Sequence, residues 1–400
     1  MKKEKKSPQV TPLFVFLMAA LMSLVALSID TILPAMGFIR EKFEVSLSES
    51  HWILTSLFLG LCVGQVFFGS LSDCIGRKYT PYIGVTIFTL GSIVSYNASD
   101  YLTFVTGRII QGFGIAAPRI VSQAIIRDVS SGNTMARLNS YVMTIFIMVP
   151  VFAPILGQVI IWTVYWNFIF IALVIYCIVL TSSFALKIDE TLLDPRPFNL
   201  NNFWQGVFEV FSNRVTFGIT IVIGCVFGCI VSFLNIAQYL YQNVYGVGDN
   251  FAFYFAGTAA VIGISSLSNA KLVSKFKLNT IISFSLIWVF LWSIVFLSAI
   301  SYFQELSLLS FIIFSLMVFT TFGFLFSNLN ALALEPMGHI AGTASAIIAT
   351  FSNLIAISIG AISSNYFSDS AKPLIIVFVV TSLLAILIMT KLRIFSLRFW

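Results

Sequence analysis

The fold class this 400-residue chain predicts is an all-α polytopic membrane protein with twelve transmembrane helices. Three observations predict it. Hydrophobic residues make up 58% of the chain and charged residues only 10%, with a mean hydropathy of +0.98. A soluble domain is roughly a quarter charged and needs that charge to face water. Apolar runs of about 20 residues, each enough to cross ~30 Å of hydrocarbon as helix, recur from end to end. Lys and Arg gather on alternate connections between those runs.

The first six runs lie at roughly 12–36, 50–70, 79–98, 101–126, 138–161 and 166–186. A polar stretch, "KIDETLLDPRPFNLNN" (187–202), interrupts the series. Six more follow at roughly 214–240, 250–270, 279–302, 305–333, 339–364 and 371–391. Several exceed the length needed to span, so tilt is expected. The predicted organisation is a six-helix bundle over 1–186, a cytoplasmic linker over 187–213 and a second six-helix bundle over 214–400. The basic start and following apolar run imitate a signal peptide, but the run is too long for one and reads as an uncleaved first helix.

Orientation follows from the basic residues. With the N-terminus in the cytoplasm, seventeen of the 22 Lys and Arg fall inside, among them Lys2, Lys3, Lys5, Lys6, Arg137, Arg196 and Arg398. Only Arg40, Lys42 and Lys372 fall outside, and Arg108 and Arg119 lie within a span. Both termini are therefore expected in the cytoplasm. The net charge of +6 is explained by this topology, so the lipid bilayer and not nucleic acid is the expected partner. Five cysteines sit in or beside apolar runs without a CxxC pair, which argues for packing and against disulfides or a metal site.

The link "GSLSDCIGRK" (69–78) joins the second and third runs on the inside. Gly76 permits a tight turn through positive φ, and Gly69 suits close approach of a neighbouring helix. Asp73 could cap a helix or pair with a cation on another helix, and Arg77 and Lys78 fit an inside loop. In the fourth run, "GRIIQGFGIAAPRI" (107–120) buries Arg108 about seven residues below the outer end, ~10 Å deep. An arginine there is costly and by default functional unless it snorkels outward; Gln111, Gly112 and Gly114 accompany it. Arg119 follows three turns later on nearly the same face.

Asp30 is the only carboxylate well inside any run, and it lies near the depth of Arg108. An Asp30–Arg108 pair is therefore expected, neutralising both charges. Such a pair could be a proton switch, in which protonation of Asp30 frees the arginine and cargo replaces the proton. A static pair that fixes packing is the alternative. Pro150, Pro154 and Gly157 in the fifth run bend a helix that a lumen can tolerate. The chain has no phosphate-binding glycine loop and no catalytic His cluster, since His51 and His339 lie near span ends. It is therefore read as no enzyme and as needing no cofactor, with its energy drawn from an ion gradient, protons before Na⁺.

These stretches carry a resemblance. "GSLSDCIGRK" resembles the G-x-L-(S/A)-D-x-x-G-R-(K/R) signature of the major facilitator superfamily, and at the expected place. "GRIIQGFGIAA" is similar to the R-x-x-Q-G-x-G-A-A motif of its drug:proton antiporters, with Ile115 for the first alanine. "LSIDTILPAMGFI", "QAIIRDV" (123–129), "VPVFAPILGQVI" (149–160) and "ALEPMGHIAGTASAI" (333–347) resemble the bicyclomycin-resistance/chloramphenicol-efflux (Bcr/CflA) branch.

The resemblance implies the major facilitator fold, with inverted repeats in two six-helix bundles, in a bacterial inner membrane. It implies proton-coupled efflux of drugs or small metabolites by alternating access, in a monomer; a symporter importing a nutrient or metabolite is the alternative. It also implies that Asp73 and Arg77 latch the bundles in an outward-open state, and that the fifth-helix prolines seal the cavity against leak.

The chain departs from that pattern at Arg119, where a small or apolar residue is usual, and at Gln123, where arginine is usual. It departs also at Asn167 and at "NIAQY" (235–239). Candidates for lining the cargo cavity are Trp52, Arg119, Gln123, Tyr141, Asn235, Gln238 and Tyr239. Two deep arginines against one carboxylate favour a neutral, zwitterionic or anionic cargo over a permanent cation.

Overall fold

The computed structural model describes residues 11–130, 132–192, 200–367 and 369–396. Lys2, Lys3, Lys5, Lys6, Arg196 and Arg398 lie outside the described residues, as do the side chains of Arg137 and His339. The described residues are helical almost throughout. Among the described residues, eleven segments are long and apolar enough to cross a membrane, and Thr80–Tyr96 is a further, shorter helix of 17 residues, ~26 Å at 1.5 Å per residue. In chain order, helix 1 is Pro12–Asp30 continued by Met36–Phe43, helix 2 Trp52–Ile75, helix 3 Thr80–Tyr96 and helix 4 Tyr101–Val129. Helix 5 is Gly132–Thr163, helix 6 Phe168–Lys187, helix 7 Arg214–Tyr239 and helix 8 Phe251–Val273. Helix 9 is Leu278–Phe303, helix 10 Leu308–Phe319 with Phe322–Leu334, helix 11 Ala341–Asn365 and helix 12 Lys372–Lys391.

Local chemistry sets several of these boundaries. Helix 1 starts at Pro12 behind Thr11, whose hydroxyl accepts the Phe14 N–H at 3.2 Å; this cap-then-proline order satisfies orphan amides. Helix 1 then breaks immediately after Asp30, and a 3₁₀ turn over Leu33–Ala35, with Pro34 inside it, leads into Met36–Phe43. Proline cannot donate to the preceding turn, which is why the ladder is interrupted here. The expected first span, ending near residue 36, is thus replaced by a longer, interrupted one ending at Phe43. Asp100 caps helix 4 by accepting the Thr103 N–H at 2.8 Å, and Asn213 caps helix 7 the same way.

Consecutive helices run in opposite directions, so the loops fall at two ends of the molecule. One end carries Arg40 and Tyr239; the other carries Arg77 and the start of helix 11. They are named here for Arg40 and Arg77. Helix 4 is the centre of the first six, packed on helices 2 and 3. Its motif glycines explain both contacts. A Cβ on Gly112 would run into the Leu57 carbonyl of helix 2, and one on Gly114 into the helix 3 backbone at Gly84 and Phe88. Two residues apart, or about 200° around the helix, the two glycines serve opposite faces. Helix 5 lies between helices 1 and 8, and helix 11 packs on helices 7 and 2.

The stretch expected to be a plain linker contains a helix that sequence reading missed, Leu200–Ser212. Val210 is buried while Trp204 and Phe208 are exposed. The spacing of Trp204, Val207, Phe208 and Phe211 carried that signal. Among the described part of the linker, Ile188–Leu192 is not helical.

Candidate functional site

Arg108 is fully enclosed and is bound by backbone and amide oxygens. Its Nε donates to the Ile53 carbonyl of helix 2 at 3.1 Å, its Nη2 to the Ser28 carbonyl of helix 1 at 3.1 Å, and its Nη1 to Gln111 Oε1 at 3.0 Å. Gln111 passes the network on, its Nε2 donating to Ser92 Oγ of helix 3 at 2.7 Å. One arginine and one glutamine on helix 4 therefore tie together the first three helices. Charge-assisted hydrogen bonds of this kind offset much of the cost of burying a guanidinium.

The expected Asp30–Arg108 ion pair is not formed. Three ion pairs occur among the described residues, and none includes Asp30 or Arg108. Depth brought the two groups to the same level, but the guanidinium turns to the carbonyls of Ser28 and Ile53. Asp30 is 5% exposed and is the only buried carboxylate among the described residues. It sits at the last helical position before the break. Polar oxygens at that break are buried and, among the described residues, unpartnered: the hydroxyls of Ser28 and Thr31 and, beside Gly157, the Oε1 of Gln158. Gly157 explains how helix 5 comes so close, because a Cβ there would collide with the Thr31 carbonyl. Pro154 is buried and Pro150 half-buried in a helix that continues through both.

The cavity candidates separate into groups. Asn235 and Gln238 are each 3% exposed on helix 7; Asn235 donates to Ser364 Oγ at 3.3 Å and leaves its Oδ1 unpartnered. Gln238 donates to Gln242 and lies against Gly37 of helix 1. Tyr239 is at the Arg40 end, its hydroxyl donating to Asp369 Oδ1 at 2.6 Å with the Arg40 guanidinium 5.2 Å above its ring. Trp52 is exposed and packs beside His51 at the same end. Tyr141 is exposed on helix 5 and Gln123 is exposed on helix 4. Arg119 is partly exposed and lies within Coulombic reach of the Cys62 thiol on helix 2. The structure thus spreads these residues from the Arg40 end to the Arg77 half of the molecule and does not gather them into one pocket.

The link between helices 2 and 3 departs from expectation at two of its residues. Gly76 does take a positive φ of 102°. Gly69, however, faces open space, with nothing within 4 Å of a Cβ placed on it; close approach of helices 2 and 4 falls instead at Gly60 and Gly64. Asp73 neither caps a helix nor reaches another one, because its Oδ1 is 2.6 Å from Arg77 Nη1 four residues on. Arg77, 4% exposed, also donates to Asp128 Oδ2 at the end of helix 4 at 3.0 Å and to Ser72 Oγ at 2.6 Å. Glu190 then accepts the backbone N–H groups of Arg77 and Lys78 at 2.9 and 3.0 Å. Lys78 Nζ is 4.0 Å from the exposed Asp189, a weak surface pair. All these partners precede residue 193. The contacts join helices 2, 3 and 4 to the segment after helix 6, not to the last six helices.

The two sequence halves do meet elsewhere. At the Arg40 end, Trp162 Nε1 donates to Asp249 at 3.0 Å in addition to the Arg40–Tyr239 contact. At mid-depth Phe58 meets Phe227 edge-on at 5.8 Å, and the Cys62 thiol points to the Thr350 carbonyl at 3.9 Å. Among the described residues, twelve numbered helices around a buried arginine network and one buried carboxylate define a polytopic membrane protein with ionisable groups at transmembrane depth.

The chain belongs to the Major Facilitator Superfamily, whose family model matches residues 17–361. It is a multi-pass membrane transporter of small molecules, a class distinct from enzymes. It is 28% identical over 341 residues to the "uncharacterized MFS-type transporter YdgK" of Bacillus subtilis, covering 83% of this chain and 84% of that one. It is 26% identical over 392 residues to the bicyclomycin resistance protein homolog of Haemophilus influenzae, covering 95% and 97%. In fold it is similar to the crystal structure of a D-xylose–proton symporter, with a TM-score of 0.74 at 16% identity over 97% of this chain and 98% of that one.

Proposed function

We propose that this transporter is a proton-coupled exporter of drugs or small metabolites, working by alternating access in a bacterial inner membrane. The observation that carries the reading is Asp30, the single buried carboxylate among the described residues, unpaired at the break in helix 1. A carboxylate there can change charge by moving a proton without separating a counter-ion. Arg108 acts beside it as a positioning residue, fixing helix 1 through Ser28. The halves 1–186 and 214–400 are the two moving bundles, joined by the 187–213 linker, in a monomer. Both termini and the Arg77 end face the cytoplasm. The likeness to a bicyclomycin resistance protein homolog supports the export reading and supplies a probe.

The test is flux in proteoliposomes with an imposed pH gradient and bicyclomycin as probe. Asp30→Asn is expected to abolish gradient-driven movement while leaving exchange between equal pools intact. Undiminished gradient-driven flux in that variant refutes the assignment, and flux that follows Na⁺ refutes the coupling ion. Import by proton symport on the same fold is the second reading, as in the xylose transporter. Accumulation of probe along the proton gradient instead of against it selects that reading.

A further inference from the structure

Arg119 is the second arginine at transmembrane depth in helix 4, and among the described residues it has no oxygen ligands like those that hold Arg108. The residue is partly exposed and forms no ion pair among the described residues. Around it is a mixed polar and aromatic corner where helices 2 and 4 meet helices 7 and 11. Cys62 of helix 2 is its electrostatic neighbour, and the Cys62 thiol points to the Thr350 carbonyl of helix 11 at 3.9 Å. Thr350 is 9% exposed with its hydroxyl oxygen unpartnered among the described residues. One turn along helix 2 from Cys62, Phe58 and the partly buried Phe227 form an aromatic wall.

The same stripe of helix 4 continues toward the Arg77 end. Gln123 and Arg127, four and eight residues on, are both exposed, and Arg127 reaches Gly342 at the start of helix 11. Arg119 to Arg127 spans ~12 Å of helix, with a cation at each end and no ion pair to either among the described residues. A guanidinium kept at depth without an anion is costly, and its planar fork suits a carboxylate or phosphate. An anionic cargo would supply the missing partner.

We propose that Arg119 is the counter-ion for the cargo, and that the corner takes an organic anion. Its carboxylate or phosphate would sit on Arg119 and the Thr350 hydroxyl, and its apolar or aromatic body against Phe58 and Phe227. The assignment rests on the transport reading above, to whose cargoes it adds organic acids.

The full chain in detergent is titrated with matched acid and neutral pairs: salicylate and salicylamide, 1-naphthoate and its amide, phenyl phosphate and phenol. At least one acid is expected to bind at least about tenfold more tightly than its neutral partner, as a charge-assisted hydrogen-bonded pair provides. The preference should fall below about twofold in Arg119→Gln and persist in Arg119→Lys, with thermal midpoints showing that both variants fold. Carboxylate and phosphate pairs tell the two anion chemistries apart. No preference for any acid, or a preference that survives Arg119→Gln, overturns the assignment. Flux of the preferred acid is then measured in vesicles. A preference that depends on Arg119 without gradient-driven flux sinks the transport reading and leaves the anion site standing.

Discussion

Arg108 donates to the Ser28 carbonyl at 3.1 Å, two residues before Asp30, and does not pair with the Asp30 carboxylate. The arginine holds the backbone of helix 1 while the acid beside it stays without a partner. Anchoring of helix 1 and burial without an ion-pair partner are thereby divided between two residues that depth alone would have fused into one pair.

That division predicts opposite responses to mutation. Arg108→Ala removes three hydrogen bonds, two of them to backbone carbonyls of helices 1 and 2. With hydrogen bonds to charged groups worth ~1.5–3 kcal/mol each, the loss of stability should exceed about 3 kcal/mol. Asp30→Asn removes no bond, so its thermal midpoint in detergent should match or exceed that of the parent. Equal destabilisation by the two changes would show that the acid and the arginine are coupled after all.

The glycines of helices 2 and 4 give a second contrast. Gly112→Ala forces a methyl group against the Leu57 carbonyl, and overpacking of this kind costs ~1–3 kcal/mol. Gly69→Ala meets nothing within 4 Å and should stabilise helix 2 by ~0.5–1 kcal/mol. Thermal unfolding of the two single variants decides it, and a damaged Gly69→Ala protein would mean that another conformation closes on this face.

At the Arg77 end, buried Arg77 pairs with Asp73 and Asp128 at once. Arg77→Ala removes both ion pairs and the bond to Ser72 and should destabilise by ~1.5–3 kcal/mol, the range for a hydrogen bond to a charged group. Asp73 is 45% exposed, so Asp73→Asn should cost under ~1 kcal/mol. Chemical denaturation of both variants measures the ratio.

The contacts at the Arg40 end hold the two sequence halves together. Replacing both Arg40 by Ala and Trp162 by Phe removes the cation–π contact to Tyr239 and the bond to Asp249, both of which cross between the halves, together ~1–2 kcal/mol. Opening at this end should rise roughly fivefold to thirtyfold. Maleimide labelling of a Gln238→Cys reporter, buried against Gly37, should accelerate by that factor; an unchanged rate would place the closing contacts elsewhere.

The sequence made the span count and the depth of Asp30 and Arg108 legible, because each is a matter of counting residues along an axis. It did not reveal azimuth. A residue turns about 100° around a helix, and the proline-containing break after Asp30 shifts the register of everything beyond it. Gly69 was legible as a glycine but not as one facing open space, since that depends on what stands opposite. The burial of Arg77 depends on Asp128 and Glu190, 51 and 113 residues away, and such distant partners leave no local pattern. The linker helix was readable from its aromatic spacing, masked by the charged and proline-rich residues before it.

The glycine contacts of helix 4 also constrain how the molecule can move. Gly60, Gly64 and Gly112 bring helices 2 and 4 into backbone contact, and Gly84, Gly91, Gly107 and Gly114 do the same for helices 3 and 4. Surfaces meshed at that distance cannot slide without atomic overlap. Helices 2, 3 and 4 therefore travel as a single keel, and any change of shape must be borne by looser seams, such as that between helix 2 and helix 11. Spin labels on helices 3 and 4 would hold one separation through a whole cycle, while a pair across helices 2 and 11 would report the stroke.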